Sequence, residues 1–207
     1  MPRRRHFEIL ERRRHHDGFF KLDLLRLRFE RFAGGWSVPL SRELFVQREA
    51  VAALPWDPRS DRLVLIEQFR AGALEAPEGP WLIEAVAGLR ESEEDPEAVA
   101  RREVAEEAGL PVRRLERAGA YRSSPGATSE LVHVYIAEVE APAEGGIFGR
   151  ADEHEDIRTL VVTRHEAFAW LDAGRITAAT AVFPLLWLRA RGGELRRRWL
   201  GSDDAAS

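Results

Sequence analysis

The pattern of hydrophobic and polar positions predicts extended structure in the first part of the chain. Apolar and charged residues alternate from Leu25 to Glu30, which is typical of a strand with one buried face. Gly34 and Gly35 favour a hairpin turn after it, and a second extended piece follows. Pro39 in that piece favours an edge position, because proline cannot donate to the strand ladder. We therefore predict a small antiparallel β-module over residues 1–48.

The rest of the chain predicts an α+β domain over 49–197 and a flexible tail over 198–207. Short apolar runs bounded by turn residues predict strands. They lie at 50–58, 62–70, 81–88, 115–121, 131–139 and 159–163. Helices are expected near 96–108, 164–173 and 178–191. For the first of them, Asp95 can cap the N-terminus, Pro96 suits the first turn and Gly109 can end it. This order predicts helices that flank a mixed sheet.

The composition excludes several functional classes. The chain has 207 residues, 44% hydrophobic and 32% charged, and this balance is typical of a soluble globular protein. A net charge of −4 leaves no excess of positive charge for a general nucleic-acid binder. Cysteine is absent, which excludes disulfides, thiolate metal sites and cysteine nucleophiles. The arginine-rich segment 1–16 lacks a continuous apolar stretch. We interpret it as a solvated terminal arm, and we expect a cytoplasmic protein with no membrane partner.

One segment, GLRESEEDPEAVARREVAEEAGL at 88–110, carries the strongest chemical signal. It fills the template G-x5-E-x7-R-E-U-x-E-E-x-G-U, where U is a bulky aliphatic residue. The matching residues are Gly88, Glu94, Arg102, Glu103, Val104, Glu106, Glu107, Gly109 and Leu110. A chance match in a chain of this length has a probability on the order of 10⁻⁷ at average residue usage.

Three carboxylates of this segment are expected on one face of the predicted helix. Glu106 and Glu107 lie three and four residues after Glu103, and residues with these spacings share a face. Such a face suits Mg²⁺, which takes oxygen ligands. The alternative is a solvated acidic face paired with Arg101 and Arg102. Two further predictions concern geometry: Glu94 pairs with Arg102, and Gly88 allows a tight exit from the preceding strand.

The segment resembles the Nudix box, the signature of hydrolases that act on nucleoside diphosphates linked to another moiety. The resemblance implies an α/β/α sandwich around a mixed sheet. It also implies that Glu103 and Glu107 are the principal metal ligands, with Glu106 a further ligand. Mg²⁺ is the expected cofactor, Mn²⁺ a possible substitute, and more than one ion per site is expected.

Features outside the box resemble the bacterial ADP-ribose pyrophosphatase branch of this family. They are LIEQFR at 65–70, WLIEAVAG at 81–88, GFFKLDLLRLRF at 18–29, and RSSPGATSE at 122–130, where Pro125 lies sixteen residues after Gly109. The resemblance implies hydrolysis of ADP-ribose to AMP and ribose 5-phosphate. Two alternatives stay open: another nucleoside diphosphate sugar such as GDP-mannose, and a module that senses a nucleotide without cutting it.

The same resemblance assigns roles to individual residues. Ala87 offers its carbonyl oxygen to a metal, and Glu153 is the general base, with Glu155 as its substitute. Substrate contacts are expected from Phe19, Arg42, Arg70, Ser124, Pro125 and Glu130. Among these, Arg70 is expected to contact the diphosphate, and Phe19 and Arg42 are expected at the adenine site. Glu130 is expected to contact the substrate or a metal. A homodimer that exchanges its N-terminal modules is also implied.

Each of these assignments has a plainer alternative. Arg42 and Arg70 can be surface arginines of strands, and Phe19 can belong to the core. The Ser-Ser-Pro-Gly run can be only a turn. Glu153 stands in an acidic run, and such runs are commonly just solvated.

Overall fold

The computed structural model describes residues 5–150, 152 and 154–201. These residues form two compact units. One contains the chain up to Arg48 together with Arg122–Leu131, and the other contains Glu49–Tyr121 and the chain from Val132 onward. The segment 122–131 therefore joins the N-terminal unit, although the sequence placed it in the second domain.

The N-terminal unit is a three-stranded antiparallel sheet in the order β1-β2-β3. Its strands are β1 (Phe7–Asp17), β2 (Lys21–Phe29) and β3 (Leu40–Val46). The predicted turn is confirmed, since Gly34 and Gly35 have φ of 89° and 70° between β2 and β3. Segment 122–131 lies along β3, where the Phe45 N–H donates to the Ala127 carbonyl at 2.8 Å.

Strand β1 corrects the interpretation of segment 1–16 as a terminal arm from residue 7 onward, while residues 1–4 lie outside the described residues. Phe7–Asp17 pairs with β2 along its length, although nearly all of its residues are exposed. Its side chains contribute ion pairs instead of an apolar face. Arg12 donates to the buried Asp23 of β2 at 2.6 Å, and Arg14 contacts the same carboxylate. The segment lacks the alternation that identifies a half-buried strand, and this hid it from the sequence pattern.

The second unit is built on an eight-stranded mixed sheet. Its main path runs β10-β11-β5-β4-β9-β8, while β6 pairs with β5 and β7 pairs with β4. The strands are β4 (Ala50–Asp57), β5 (Arg62–Phe69), β6 (Trp81–Glu84), β7 (Val86–Leu89), β8 (Arg114–Tyr121), β9 (Val132–Glu138), β10 (Ile147–Phe148) and β11 (Ile157–Thr163). Strands β4 and β9 are parallel, and the other pairs are antiparallel.

Helices cover both faces of this sheet, which confirms the predicted α/β/α sandwich. They are α1 (Pro96–Ala108), α2 (Arg164–Asp172) and α3 (Ala179–Leu200). A hydrophobic core lies on each face of the sheet, and successive side chains of β5 point alternately into the two cores. Val64 and Ile66 pack with α1, whereas Leu63 and Leu65 pack with α2 and α3. All four side chains are fully buried.

The largest differences from the sequence expectation are at 81–88 and at the end of the last helix. The run at 81–88, expected as one strand, divides at Ala85 because β6 pairs with β5 whereas β7 pairs with β4. Helix α3 continues to Leu200, three residues into the expected tail, and 202–207 lie outside the described residues. Within the described part of the chain, no helix is both long and apolar enough to cross a bilayer.

Candidate active site

Helix α1 has the predicted bounds because its end signals are local. The Asp95 side chain accepts a hydrogen bond from the Glu97 N–H at 3.2 Å, and Pro96 occupies the first turn. Gly109 ends the helix with φ of 67°, a conformation that glycine adopts without strain. Val104 and Ala108 face the sheet as predicted, which directs Glu103 and Glu107 to the edge of that buried surface.

Gly88 makes room for Glu103. A Cβ atom on Gly88 would lie 1.8 Å from Oε1 of Glu103 and 2.0 Å from its Cδ. Gly88 is the penultimate residue of β7, so the strand ends one residue later than predicted. The absent side chain lets the Glu103 carboxyl group pack against the strand. Burial raises the pKa of Glu103, while the neighbouring Arg102 lowers it.

Glu107 is the most perturbed carboxylate of the site. Its side chain is buried, with 3% of the residue exposed, and it accepts a hydrogen bond from the Ala87 N–H at 3.1 Å. Burial raises the pKa of Glu107 to about 8, and the charges of Glu103 and Glu155 act in the same direction. The Ala87 N–H and the Arg70 charge oppose this shift. Glu107 therefore loses its proton readily only where a positive charge lies close to it.

Glu106 occupies a different environment from its two neighbours. Its Oε2 atom lies 3.4 Å from Nη1 of Arg102, and its Oε1 atom lies 3.6 Å from Nη1 of Arg150. Arg102 also lies 3.5 Å from Glu94, which confirms the predicted pair. No three acidic or histidine side chains converge as a metal-binding group among the described residues. The role of Glu106 as a ligand therefore stays a prediction.

Arg70 is held by a buried carboxylate that the sequence reading missed. Its Nε and Nη2 atoms donate to the two oxygens of Glu84 at 2.9 and 2.8 Å. Glu84 is only 4% exposed. Burial lowers the pKa of Arg70, but Glu84, Glu107 and Glu155 outweigh that effect and raise it. A glutamate inside the apolar run at 81–88 was the signal available for this residue.

The acidic loop before β11 is described only in part. Glu153, the expected general base, lies outside the described residues. Glu155 lies close enough for its charge to raise the pKa values of both Glu103 and Glu107. Its backbone N–H donates to the Arg150 carbonyl, and its carboxylate accepts from the Arg150 N–H, both at 3.1 Å. Glu155 therefore belongs to the same group of charges as the α1 carboxylates.

The remaining expected substrate residues lie in the N-terminal unit. Phe19 is 81% exposed and meets Phe20 edge to face, which excludes the core alternative. Arg42 is exposed and donates to the Ser41 carbonyl at 2.8 Å. The carbonyl of Ser124 accepts from Ala127 and Thr128, both at 2.9 Å, so the segment around Pro125 is an ordered turn.

Glu130 lies in the same segment of the N-terminal unit. Its N–H donates to the Thr128 hydroxyl at 3.2 Å. Thr128 in turn donates to the Gln47 side chain at 2.5 Å, and the Ser129 hydroxyl donates to the Gln47 carbonyl at 3.0 Å. Side-chain contacts therefore fix the backbone that carries Glu130.

The described residues of α1 and β5–β7 fit a divalent cation. Two buried carboxylates with raised pKa values are stabilised in their ionised form by a positive charge. The cradle at Gly88 places one of them against β7. Gln68, on the α1 face of β5, has a buried side-chain nitrogen without a partner among the described residues. Such a donor suits a bound oxygen from water or phosphate.

Comparisons with known proteins agree with this geometry. The family model described as NUDIX domain matches residues 46–182. The chain is 45% identical over 192 residues to a protein of Escherichia coli K12 named ADP-ribose pyrophosphatase, covering 93% of this chain and 92% of that protein. It is 34% identical over 153 residues to a GDP-mannose pyrophosphatase of Cronobacter sakazakii, covering 73% and 78%.

A solved structure shares the fold. It is titled "Crystal structure of ADP compounds hydrolase", and it aligns with a TM-score of 0.70 over 92% of this chain and 96% of that one, at 20% identity. Together with the matched Nudix box on α1, these comparisons identify the family. The chain belongs to the Nudix hydrolase family, on the branch of the bacterial ADP-ribose pyrophosphatases.

Proposed function

We propose that this protein hydrolyses ADP-ribose to AMP and ribose 5-phosphate with Mg²⁺, for which Mn²⁺ can substitute. The observation that carries the proposal is the buried pair Glu103 and Glu107 on α1, with the charge of Arg70 nearby. Buried carboxylates without a full set of cationic partners are costly and are typical of functional sites. The 45% identity to a protein named ADP-ribose pyrophosphatase supports the substrate.

The residues of the second unit divide the chemical work. Glu103, Glu107 and the Ala87 carbonyl would hold the ion, with Glu106 as a further ligand when more than one ion binds. The ion supplies neutralisation of the diphosphate charge and polarisation of one phosphorus. Arg70 binds a diphosphate oxygen through its planar guanidinium, and Glu84 keeps that group from rotating away.

Proton transfer is assigned to the loop that follows β10. Glu153 takes a proton from a water molecule whose oxygen attacks one phosphorus, with Glu155 as the alternative base. The new P–O bond forms as the bridging P–O bond breaks, and the bridging oxygen leaves on AMP or on ribose 5-phosphate. Both carboxylates belong to the run ADEHEDI at 151–157, so Glu153→Gln and Glu155→Gln compare the two candidates directly.

The N-terminal unit is proposed to provide the adenosine contacts. The exposed ring of Phe19 offers a stacking face, and the guanidinium of Arg42 is available at the surface. Ser124, Pro125 and Glu130 would approach the substrate from the ordered turn.

A homodimer that exchanges these N-terminal units is part of the proposal. Large apolar side chains are exposed there, and these include Phe7, Phe19, Phe32 and Val38. A concentration of exposed apolar groups favours burial against a partner surface. Light scattering after gel filtration tests this point, and a fully active monomer would contradict it. A cytoplasmic location stays a prediction.

A substrate panel tests the activity. The purified protein would be incubated with ADP-ribose, GDP-mannose and other nucleoside diphosphate sugars, with Mg²⁺ or with EDTA, and the products separated by ion-exchange chromatography. We expect equimolar AMP and ribose 5-phosphate from ADP-ribose, lost in EDTA and reduced by orders of magnitude in Glu107→Gln. A strong preference for GDP-mannose would reject ADP-ribose as the substrate. Nucleotide binding without any product would identify a sensing module.

A further inference from the structure

A network of side chains connects the start of β4 to the loop between β7 and α1. Arg90, directly after β7, is its central residue. Its Nη1 donates to Oε2 of Glu49 at 2.6 Å, and its Nε donates to the Glu94 carbonyl at 2.6 Å. The two contacts use different nitrogens of one rigid guanidinium. Arg90 therefore holds the loop at a fixed distance from the start of β4.

Glu49 is a firm anchor for this arginine. The same Oε2 atom lies 3.0 Å from Nε2 of His133, the partner of Val51 in the parallel β4–β9 ladder. The Arg90 N–H also donates to the Glu49 carbonyl at 2.9 Å. His133 and Arg90 lower the pKa of Glu49, so the carboxylate stays ionised at neutral pH.

The loop held by Arg90 contains a strained residue. Glu93 has φ of 69°, in the region that favours glycine. Its neighbours close a turn in which the Glu94 N–H donates to the Glu91 carbonyl at 3.2 Å. A non-glycine residue in this conformation persists only where its surroundings hold it. The bond from Arg90 to the Glu94 carbonyl provides such a restraint.

Glu94 passes this restraint to the metal-binding face of α1. Its Oε1 lies 3.5 Å from Nε of Arg102, and Nη1 of Arg102 lies 2.7 Å from Oε1 of Glu103. Arg102 is thus shared between a loop carboxylate and a proposed ligand. If Glu94 moved away, the guanidinium would pair more fully with Glu103 and Glu106. A cation already competes with Arg102 for Oε1 of Glu103, and this competition would become stronger.

We infer that Arg90 is a positioning residue for Glu103, which acts through the 91–95 loop and Arg102 to keep the carboxylate available to a divalent ion. This inference rests on the proposed metal site. It assigns to Arg90, Glu49 and His133 a role in metal affinity, although none of them lies on α1.

Direct titration of Mn²⁺ tests the inference without measuring catalysis. The amplitude of the free Mn²⁺ signal in electron paramagnetic resonance gives the dissociation constant of each full-length variant. We expect Arg90→Met to weaken binding about threefold to tenfold, less than the largest effects known for outer-shell groups. Arg90→Lys should recover part of the loss, because one ammonium can keep the Glu49 contact but not both contacts. Glu49→Gln should weaken binding in the same direction.

Arg101→Met is the matched control. Arg101 lies on α1 and, like Arg90, donates to a backbone carbonyl, that of Val112, at 2.7 Å. In the described part of the chain its side chain forms no hydrogen bond or ion pair with the side chains of the network. The Mn²⁺ dissociation constant of Arg101→Met should stay within about twofold of that of the wild type. Thermal unfolding shows whether each variant is folded. In an Arg102→Met background, Arg90→Met should have little further effect, because coupled residues are not additive.

The outcomes separate the inference from the proposed function. A wild-type protein that binds no Mn²⁺ overturns the metal site and the inference with it. Normal Mn²⁺ binding by folded Arg90→Met and Glu49→Gln overturns the inference alone and leaves the proposed function intact. Full additivity with Arg102→Met also overturns it, because Arg90 would then act by another route.

Discussion

Glu107→Gln should make the metal-free protein more stable at alkaline pH. In the folded state the pKa of Glu107 is about 8, against 4.5 for an ordinary glutamate, mainly because the side chain is buried. While Glu107 is protonated in both the folded and the unfolded state, the raised pKa does not change the free energy of unfolding. As pH rises from 4.5 towards 8, the unfolded state loses this proton first, and the free energy of unfolding falls. At ~1.4 kcal/mol per pKa unit, the ionised form costs about 4 kcal/mol by pH 8. Glutamine removes this cost and keeps an oxygen for the Ala87 N–H.

Urea unfolding in EDTA measures this gain through tryptophan fluorescence, because Trp56 lies fully buried in the second unit. The variant should exceed wild type by a few kcal/mol at pH 8 and match it near pH 4.5. Saturating Mg²⁺ should stabilise wild type much more than the variant. Glu97→Gln, an exposed substitution on the first turn of α1, is the control and should not stabilise the protein. Equal stability of wild type and Glu107→Gln at pH 8 would show that ionised Glu107 does not destabilise the folded protein.

Three further substitutions test other contacts. Gly88→Ala should displace the Glu103 carboxylate, because the new Cβ would lie 1.8 Å from Oε1. Mn²⁺ binding should weaken at least about tenfold, and an unchanged Mn²⁺ dissociation constant would contradict this. Glu93→Gly should raise the unfolding free energy by roughly 0.5 kcal/mol, because it relieves a φ of 69°; a lower melting temperature would count against it. Gln68→Met removes a buried donor without a partner in the described part of the chain, and it should raise the unfolding free energy of the metal-free protein by about 1 kcal/mol. A lower unfolding free energy in urea would show that the donor has a partner.

The sequence was sufficient wherever the signals are local. The bounds of α1 follow from Asp95, Pro96 and Gly109, each of which acts within one helical turn. The pair of Glu94 and Arg102 follows from the loop–helix spacing. These features required no knowledge of neighbouring strands.

Features that arise from tertiary contacts were missed. The role of Gly88 depends on how close Glu103 approaches β7, which the sequence does not encode locally. Glu84 looks like a polar interruption of a strand until the folded chain pairs it with Arg70. Strand β1 escaped detection because ion pairs with Asp23 take the place of an apolar face.

The position of a bound ion tests the proposed metal site on α1. A crystal of the protein with Mn²⁺ and a non-hydrolysable ADP-ribose analogue would locate the metal by anomalous scattering. We predict a peak within coordination distance of the carboxylates of Glu103 and Glu107 and of the Ala87 carbonyl. A peak elsewhere, or none at a Mn²⁺ concentration that saturates activity, would contradict it.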